Sequence, residues 1–506
     1  MSSLPSYLAA AKPVPAANRA PWYKTVMPTY IGVMLWFVFW QSLGNAGVRE
    51  GGHPSGVLAE GLVPAFVGLV VAAAICHLLF YLAPGLLGMQ TGLPLYVVGA
   101  STYGASGSLY MPGFLMGLLQ FGWLAVNGAA VSIILCKCFN LGMAPGADNT
   151  AIPGWPHGII AAVFIILAAF VGLKGIKYVA RVATYLPLIV VAVLIGLLVI
   201  TLSGVSGFTP EKLALHVPAD SSAVDMKLGL MNHWEIISIL CVYVVGFFAT
   251  AGAAGVDIAS NCRNNSDVHI GGITGIFLPT VLAGVAALLI VAGAYGANMV
   301  QPEHIGNYNP VDLMPDILGA KFGKPLGAQI FNGTMIALAI SSFPGACFSS
   351  LIAANSFKTT LPKINPGISV GVGALAAIVL AVTGWTGNVF SVFVVIGASF
   401  GPVCGAMLAD FLMAGRKWSG PRAGFNPAGW ISWIVGFAVG AFNLVLPLIL
   451  KWDWAAKTFP HLADYGKYIH VPPVAAFVVG FVLYLVLSAV GLRTRKLAMP
   501  EGQLIG

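Results

Sequence analysis

One short stretch carries side chains whose types and spacing suit the recognition of a ring compound. In "QFGWLAVN", Gln120, Trp123 and Asn127 stand at positions i, i+3 and i+7, so a helix places all three on one face. Amides both donate and accept hydrogen bonds, and an indole offers a flat apolar wall. This face therefore fits a flat, neutral, polar heterocycle. The alternative is that Trp123 faces lipid while the two amides bind neighbouring backbone.

A second stretch, "GFFATAGAAGVD", places small residues and a carboxylate at the end of a long apolar segment. Gly246, Gly252 and Gly255 interrupt this segment, and glycine costs about 1 kcal/mol relative to alanine inside a helix. A broken helix persists in a membrane only where its backbone lines a cavity or packs against protein. The stretch predicts a discontinuous helix beside a binding site. Close helix packing through small residues is the alternative.

A third stretch, "ALAISSFPGACFSS", has paired hydroxyls just before a proline. Ser341 and Ser342 precede Pro344, and hydroxyls together with freed carbonyls are oxygen ligands suited to an alkali cation. Serine in a membrane helix also commonly bonds back to its own helix. Both interpretations stay open at this point.

The amino-acid composition indicates whether these segments lie in water or in a membrane. The 506 residues are 58% hydrophobic and only 8% charged, whereas soluble domains carry roughly a quarter charged residues. We therefore predict an all-α integral membrane protein without a soluble domain. The net charge of +8 does not indicate a nucleic-acid partner, because no basic segment interleaved with aromatics occurs. The seven cysteines are scattered, which predicts neither a disulfide framework nor a metal site.

Hydrophobic runs give the number of helices that cross the membrane. A bilayer core takes about 20 apolar residues per helix. We predict twelve spans, at residues 25–43, 62–82, 109–139, 158–173, 177–202, 234–259, 268–298, 327–357, 367–385, 389–413, 429–450 and 471–492. Most Lys and Arg residues of the loops lie on the same side of the membrane as both termini, so both termini are expected in the cytoplasm. The expected location is the cell membrane, either a plasma membrane or a bacterial inner membrane.

The first predicted helix resembles the sixth in carrying an interruption. "PTYIGVMLWFVFWQSLG" contains Pro28, Gly32 and a cluster of aromatics, five helices before the broken sixth. Interrupted helices at corresponding positions of two halves indicate a transporter site. The expected organisation is a cytoplasmic tail (1–24), a first inverted repeat (25–202), an extracellular loop (203–233), a second repeat (234–413), two further helices (414–492) and a C-terminal tail (493–506).

Other classes of function lack their signatures. The sequence has no GxxxxGK[ST] phosphate loop, no H-E-x-x-H and no credible Ser/His/Asp set outside lipid. An enzyme is therefore not expected, nor is a cofactor. A channel would need a repeated filter sequence, and none is present.

Several motifs together resemble the nucleobase–cation symporter family one, nearest its cytosine and purine permeases. They are "NRAPWYKTVMPTYIG", "QTGLP", "QFGWLAVN", "FFATAGAAGVDIASNCRN", "ISSFPGACFSSLIAAN" and "GPVCGAMLADFLM". The likeness covers most of residues 21–433. The resemblance rests on their order and spacing. It implies the five-plus-five inverted repeat of amino acid–polyamine–organocation and sodium symporters, with discontinuous helices 1 and 6. It also implies uptake of a planar nucleobase by cation symport through alternating access.

The same resemblance implies site residues. For the substrate these are Trp36, Gln120, Trp123, Asn127, Phe247 through its backbone, Phe248 and Thr250. For the coupling cation they are Gly32, Leu35, Leu338, Ser341 and Ser342. Sodium is the first expectation and a proton the alternative. An amide that cytosine permeases carry in helix eight falls here on Leu338, which leaves the substrate contacts of that helix open.

The resemblance leaves two further questions. Asp257 ends the sixth span and is expected to act as a gate or proton relay, with an ion pair or a helix cap as the structural alternative. The substrate class is also open, because allantoin, hydantoin, uracil or a vitamin precursor would fit a similar face. An amino-acid or polyamine transporter of the same fold is less favoured, since a charged amine would want a carboxylate at mid-membrane.

Overall fold

The fold of the chain is all-helical. The computed structural model describes residues 4–34, 56–139, 141, 154–213, 233–301, 310–385, 389–458, 461, 465–466 and 468–499. Within these ranges the only extended pairings are two isolated bridges. Residues 35–43 of the predicted first span, which include the predicted site residues Leu35 and Trp36, lie outside the described residues.

Twelve helices occupy the positions of the twelve predicted spans. They are α1 (Val26–Met34), α2 (Leu62–Thr91), α3 (Leu109–Cys138), α4 (Trp155–Leu173), α5 (Pro187–Gly207), α6 (His233–Ala253), α7 (Asn265–Gly296), α8 (Lys324–Thr360), α9 (Pro366–Val382), α10 (Val389–Met413), α11 (Pro427–Ile449) and α12 (Pro472–Ala489). Ten helices in the described ranges are long and apolar enough to cross a membrane. The other two are α9, an apolar helix of 17 residues, and α1. The chain is a multi-pass membrane protein.

Short helices join these spans at the ends of the bundle. Those that bear on the site are Leu95–Val98 and Ala100–Tyr103 before α3, and Gly255–Ala259 after α6. Helices α3, α6 and α10 are largely buried, whereas α5 and α11 lie at the periphery. Peripheral side chains such as Ile195 and Val199 are apolar and exposed, as expected where lipid surrounds a protein.

Helix α10 packs against α12 through a row of glycines. A Cβ atom at Gly401 would lie 2.7 Å from the Pro473 carbonyl oxygen, and one at Gly405 would collide with the Phe477 carbonyl. Small residues let two helix backbones approach closely in a membrane. The GxxxG spacing of Gly401 and Gly405 therefore serves contacts within this chain.

Both ends of the chain lie on the same face of the bundle, which we call the termini face. Near the C-terminus, the Leu497 amide donates to the Pro421 carbonyl. Near the N-terminus, the Tyr7 hydroxyl donates to the Ala105 carbonyl at 2.6 Å. The Ala105 amide in turn donates to the Arg422 carbonyl at 2.7 Å. These bonds join the two terminal segments through the loop that precedes α3.

The N-terminal segment, residues 4–25, crosses the termini face and binds the ends of α2 and α6. Val14 donates its amide to the Gly92 carbonyl at 2.9 Å, and Ala20 donates to the Asn261 carbonyl at 2.8 Å. The Arg19 guanidinium donates to the Met89 carbonyl at 2.8 Å. The predicted tail is thus an ordered cover on this face. Burial raises the pKa of Tyr7 to about 12, so its hydroxyl stays protonated near neutral pH.

The glycine contact between α10 and α12 gives a test of the packing. Gly405→Ala should lower the free energy of unfolding by about 1–3 kcal/mol, because the added methyl group meets the Phe477 backbone. Gly371→Ala on α9 is the matched control, since a Cβ there meets nothing within 4 Å. The control should be neutral or stabilising by up to about 1 kcal/mol. Denaturation in mixed micelles measures both; equal effects would contradict this packing.

Candidate functional site

Helix α3 presents its amides and indole to the interior, as the spacing predicts. Gln120, Trp123 and Asn127 are all buried and line one cavity. The Asn127 amide nitrogen donates to the Trp123 carbonyl at 2.7 Å. The Asn127 Oδ1 atom is buried and has no hydrogen-bond partner among the described residues. The bond to Trp123 uses one of the two N–H groups of the amide, so Oδ1 is the unpaired acceptor of this side chain.

Helix α6 forms the second wall. The Trp123 indole nitrogen donates to the Thr250 hydroxyl oxygen at 3.3 Å, and the Phe247 ring meets the Trp123 ring edge-on at 4.9 Å. An indole can only donate, so the Thr250 oxygen is the acceptor and its proton is left for another partner. This contact fixes the Trp123 ring against α6.

The interruption of α6 falls at a single residue. The helix runs unbroken through Gly246 and Gly252 to Ala253, turns at Ala254, and resumes as the short helix Gly255–Ala259. A Cβ at Gly246 would lie 2.8 Å from the Phe393 carbonyl oxygen, and one at Gly252 would lie 2.8 Å from the Phe80 side chain. The two alternatives for this stretch, a discontinuous helix and close helix packing, therefore each describe part of it. These two glycines serve packing, and the break comes at Ala254, just before Gly255.

Helix α1 contributes Tyr30, which the sequence analysis did not single out. Its hydroxyl donates to the Ala251 carbonyl at 2.7 Å, beside the interruption of α6. The residue is fully buried and lines the cavity. Its place two residues before Gly32 was the signal available in the sequence.

Helix α8 forms the fourth wall with residues that follow its own interruption. The helix turns at Ser342, between the stretches Lys324–Ser341 and Phe343–Thr360. Gly345, Phe348, Ser349 and Ile352 line the cavity. None of these four was predicted as a site residue.

The cavity encloses about 630 Å³ of empty space, counted to its open mouth, between α1, α3, α6 and α8. Within the described ranges no charged side chain lines it. It extends toward the termini face, because its lining continues along α6 to Ala254 and Ile258 and along α8 to Ile352. The arrangement suits an uncharged ligand that stacks on rings and forms a few directed hydrogen bonds.

An aromatic cluster covers the cavity on the side away from the termini face. Phe393 of α10 lies 5.5 Å from Trp123 and 5.8 Å from Phe247, measured between ring centroids. Tyr243, one turn farther along α6 from the termini face, meets Phe393 at 6.3 Å. Three helices thus meet through rings on this side of the cavity.

The remaining predicted substrate residues are Phe248 and Trp36. Phe248 is fully buried and packs on Tyr30 at 5.6 Å, behind the cavity wall, so its neighbour Phe247 supplies the ring at the cavity. Trp36 lies outside the described residues. The structure thus brings together Gln120, Trp123, Asn127, Phe247 and Thr250.

The predicted cation ligands are described in part. Gly32 lies within α1, and Leu35 lies outside the described residues. Ser341 donates its hydroxyl to the Leu338 carbonyl at 2.8 Å, and that carbonyl also accepts from the Ser342 amide at 3.1 Å. Both lone pairs of the Leu338 oxygen are therefore in use. The hydroxyl oxygens of the buried serines, as donors, keep lone pairs that suit an alkali cation.

Asp257 caps a helix in this conformation. Its Oδ1 accepts the Leu95 amide at 3.1 Å, at the first turn of the short helix Leu95–Val98, where a carboxylate is favourable. Its side chain is exposed. Arg263 binds Asp267 at 2.8 Å instead of Asp257. The cap is thus the alternative that the geometry supports, and a relay role stays a prediction.

Asp410 also has a partner that differs from the sequence neighbour. The sequence places it close to Arg416, but its carboxylate accepts from the Tyr484 hydroxyl at 2.9 Å and the Ser419 hydroxyl at 2.8 Å. The cation near it is Arg422, at 3.7 Å. This buried group joins α10, α12 and the following loop, away from the cavity.

Several solved structures similar to this chain are transporters. Mhp1, a nucleobase-cation-symport-1 family transporter, in a closed conformation with bromovinylhydantoin bound, aligns over 96% of this chain and 94% of its own, with a TM-score of 0.61 at 16% identity. Its inward-facing conformation aligns over 98% and 97%, with a TM-score of 0.62 at 14% identity. A Na⁺-coupled sialic acid symporter in a substrate-bound, outward-open state aligns over 95% and 92%, with a TM-score of 0.54 at 14% identity.

The fold is the five-plus-five inverted repeat. The predicted fold class is thereby confirmed, and the resemblance inferred from the motifs agrees with these likenesses at the level of fold. The expectation that the chain is not an enzyme agrees with them as well. No protein-family model matches the chain, and no curated protein does.

The contact between Trp123 and Thr250 gives a test of how the cavity wall is held. Thr250→Val keeps the shape of the side chain but leaves the indole N–H buried without an acceptor, so the free energy of unfolding should fall by about 1–3 kcal/mol. Thr250→Ser keeps the hydroxyl and should cost less. Denaturation in mixed micelles compares the two variants. An equal loss would show that the methyl group, rather than the hydrogen bond, matters.

Proposed function

We propose that this chain is a secondary active transporter that imports a planar, neutral nucleobase of the cytosine or purine type together with a cation. The observation that carries the proposal is the uncharged cavity in which Asn127 presents an unpaired acceptor beside the Trp123 and Phe247 rings. A base supplies what these groups lack, because its N–H groups donate hydrogen bonds and its flat faces pack on aromatic rings.

The likeness to Mhp1 supports this proposal. That transporter is described with bromovinylhydantoin, a nitrogen heterocycle, in its closed conformation. In this chain, three residues of the motifs on α3 and α6 line the cavity, namely Gln120, Trp123 and Thr250. Another heterocycle, such as allantoin, hydantoin, uracil or a vitamin precursor, is the alternative within the same chemistry. An amino acid or polyamine fits less well, since the described lining offers its amine no carboxylate.

Alternating access is supported by a difference in lining between the two ends of the cavity. The aromatic cluster of Trp123, Tyr243, Phe247 and Phe393 packs together on one side, and the lining on the opposite side extends toward the termini face. With both termini in the cytoplasm, as the loop charges predict, this conformation has its access path on the cytoplasmic side. The membrane would be the plasma or bacterial inner membrane.

The coupling ion is proposed to be sodium, bound by Gly32, Leu35, Leu338, Ser341 and Ser342. The buried hydroxyls of the serine pair support it. In this conformation the Leu338 carbonyl is saturated by two hydrogen bonds, so cation binding requires Ser341 to turn away. A proton carried by Asp257 is the alternative, with no need for the serine pair.

Uptake into proteoliposomes tests the function. Labelled cytosine, adenine, uracil and hydantoin are each offered with and without an inward sodium gradient, beside L-phenylalanine and spermidine. We expect at least one base to accumulate with the gradient. Trp123→Ala should reduce this uptake more than tenfold, whereas Trp155→Ala, at an exposed tryptophan on α4, should not. Accumulation of the amino acid or the polyamine, without any base, would contradict the proposal.

A second uptake series tests the coupling ion. Ser342→Ala removes a hydroxyl ligand and should raise the sodium concentration for half-maximal uptake by about tenfold. Ser432→Ala is the control, because this buried serine of α11 also bonds back to its own helix. Asp257→Asn keeps an acceptor for the Leu95 amide and should leave coupling intact. Uptake that ignores sodium, follows a pH gradient and is lost in Asp257→Asn would replace sodium by the proton.

A further inference from the structure

Helix α8 carries one buried serine whose hydroxyl differs from those of its neighbours. Ser341 and Ser342 donate to the Leu338 and Ala339 carbonyls of their own helix. Ser350 donates to the Ala169 carbonyl of α4, and Ser356 to the Gly113 carbonyl of α3. These four hydroxyls all have protein partners, as buried hydroxyls in a membrane require.

Ser349 is the exception. It is only 7% exposed, it lines the cavity, and its hydroxyl forms no hydrogen bond with any described residue. A buried hydroxyl without a partner costs free energy, so its place on the cavity wall indicates that a ligand or water satisfies it. A helical serine that faced its own backbone would bond to the carbonyl three or four residues earlier, and Ser349 does not.

The same cavity is lined by a second residue with an unpaired polar atom, Asn127. Asn127 of α3 has an unpaired acceptor, Oδ1, while one of its N–H groups bonds to the Trp123 carbonyl; a serine hydroxyl both donates and accepts. The two residues belong to different helices that enclose the same space. A ligand that spans them needs an N–H for Asn127 and an acceptor, a ring nitrogen or a carbonyl oxygen, for Ser349.

We propose that Ser349 is a specificity-determining residue, which donates its hydroxyl to the acceptor edge of the heterocycle while Asn127 accepts from the ligand's N–H. The proposal rests on the proposed function and deepens it, because it assigns the substrate contact of helix eight. It selects bases that present a donor and an acceptor together. A ring methylated at that N–H, or with carbon in place of the accepting nitrogen, loses one of the two bonds.

Equilibrium binding to the purified full-length protein tests the proposal. Cytosine, adenine, uracil and hydantoin are the probes, and the tightest of them is compared among wild type, Ser349→Ala and Ser350→Ala. A neutral hydrogen bond corresponds to about a three- to tenfold change in affinity. Ser349→Ala should weaken binding by this factor, whereas Ser350→Ala, whose side chain bonds to α4, should stay within twofold.

A second ligand, an analogue of that probe with its accepting atom replaced by carbon, completes a thermodynamic cycle of two proteins and two ligands. It should bind wild type and Ser349→Ala equally, because the hydrogen bond is absent from both. Equal affinity of wild type and Ser349→Ala for the unmodified probe would overturn the proposal, as would a loss that persists with the analogue. Binding of none of the four probes to wild type would instead count against the proposed function itself.

Discussion

The scarcity of hydrogen-bond partners inside a bilayer is the constraint on which the site depends. Water does not reach the interior of the bundle freely, so each buried polar group needs a partner from the protein or from a ligand. Tyr30 meets the Ala251 carbonyl at the interruption of α6, and Trp123 meets Thr250. Asn127 Oδ1 stays unpaired among the described residues. Other buried side-chain atoms in the described ranges lack partners too, His77 Nδ1 among them, but of the residues concerned Asn127 is the one that lines the cavity, where a substrate could reach it.

The two sides of the cavity are bounded by different contacts. Rings on α3, α6 and α10 pack together on one side, where Trp123 also donates a hydrogen bond to Thr250. On the termini face, the N-terminal segment binds loop carbonyls through Val14, Arg19 and Ala20. Opening at the termini face would break several directed hydrogen bonds, whereas separating the rings would break mainly apolar contacts together with the bond from Trp123 to Thr250. The two barriers thus differ in chemistry as well as in place.

The sequence predicted what helical geometry alone determines. The twelve spans and the shared face of Gln120, Trp123 and Asn127 follow from hydropathy and a period of about 3.6 residues. It is harder to predict which of two adjacent residues faces the cavity. Phe247 and Phe248 differ by about 100° around α6, so only one of the two rings can do so. The family motif indicated Phe248 for the ligand, and packing turns Phe247 toward the cavity instead. Glycine composition likewise could not separate packing at Gly246 from a break near Gly255, since both uses favour small residues.

Helix α8 links the proposed cation and substrate sites physically. The serine pair sits at its interruption and Ser349 lies two turns later, on the stretch that packs against α1. For a cation to take the Leu338 carbonyl, the Ser341 hydroxyl must release it, at the turn from which the stretch with Ser349 continues. If the cation binds one arrangement of this turn better than another, it also favours one position of Ser349. Coupling is then a difference in affinity between two arrangements of one helix, and it needs no direct contact between ion and base.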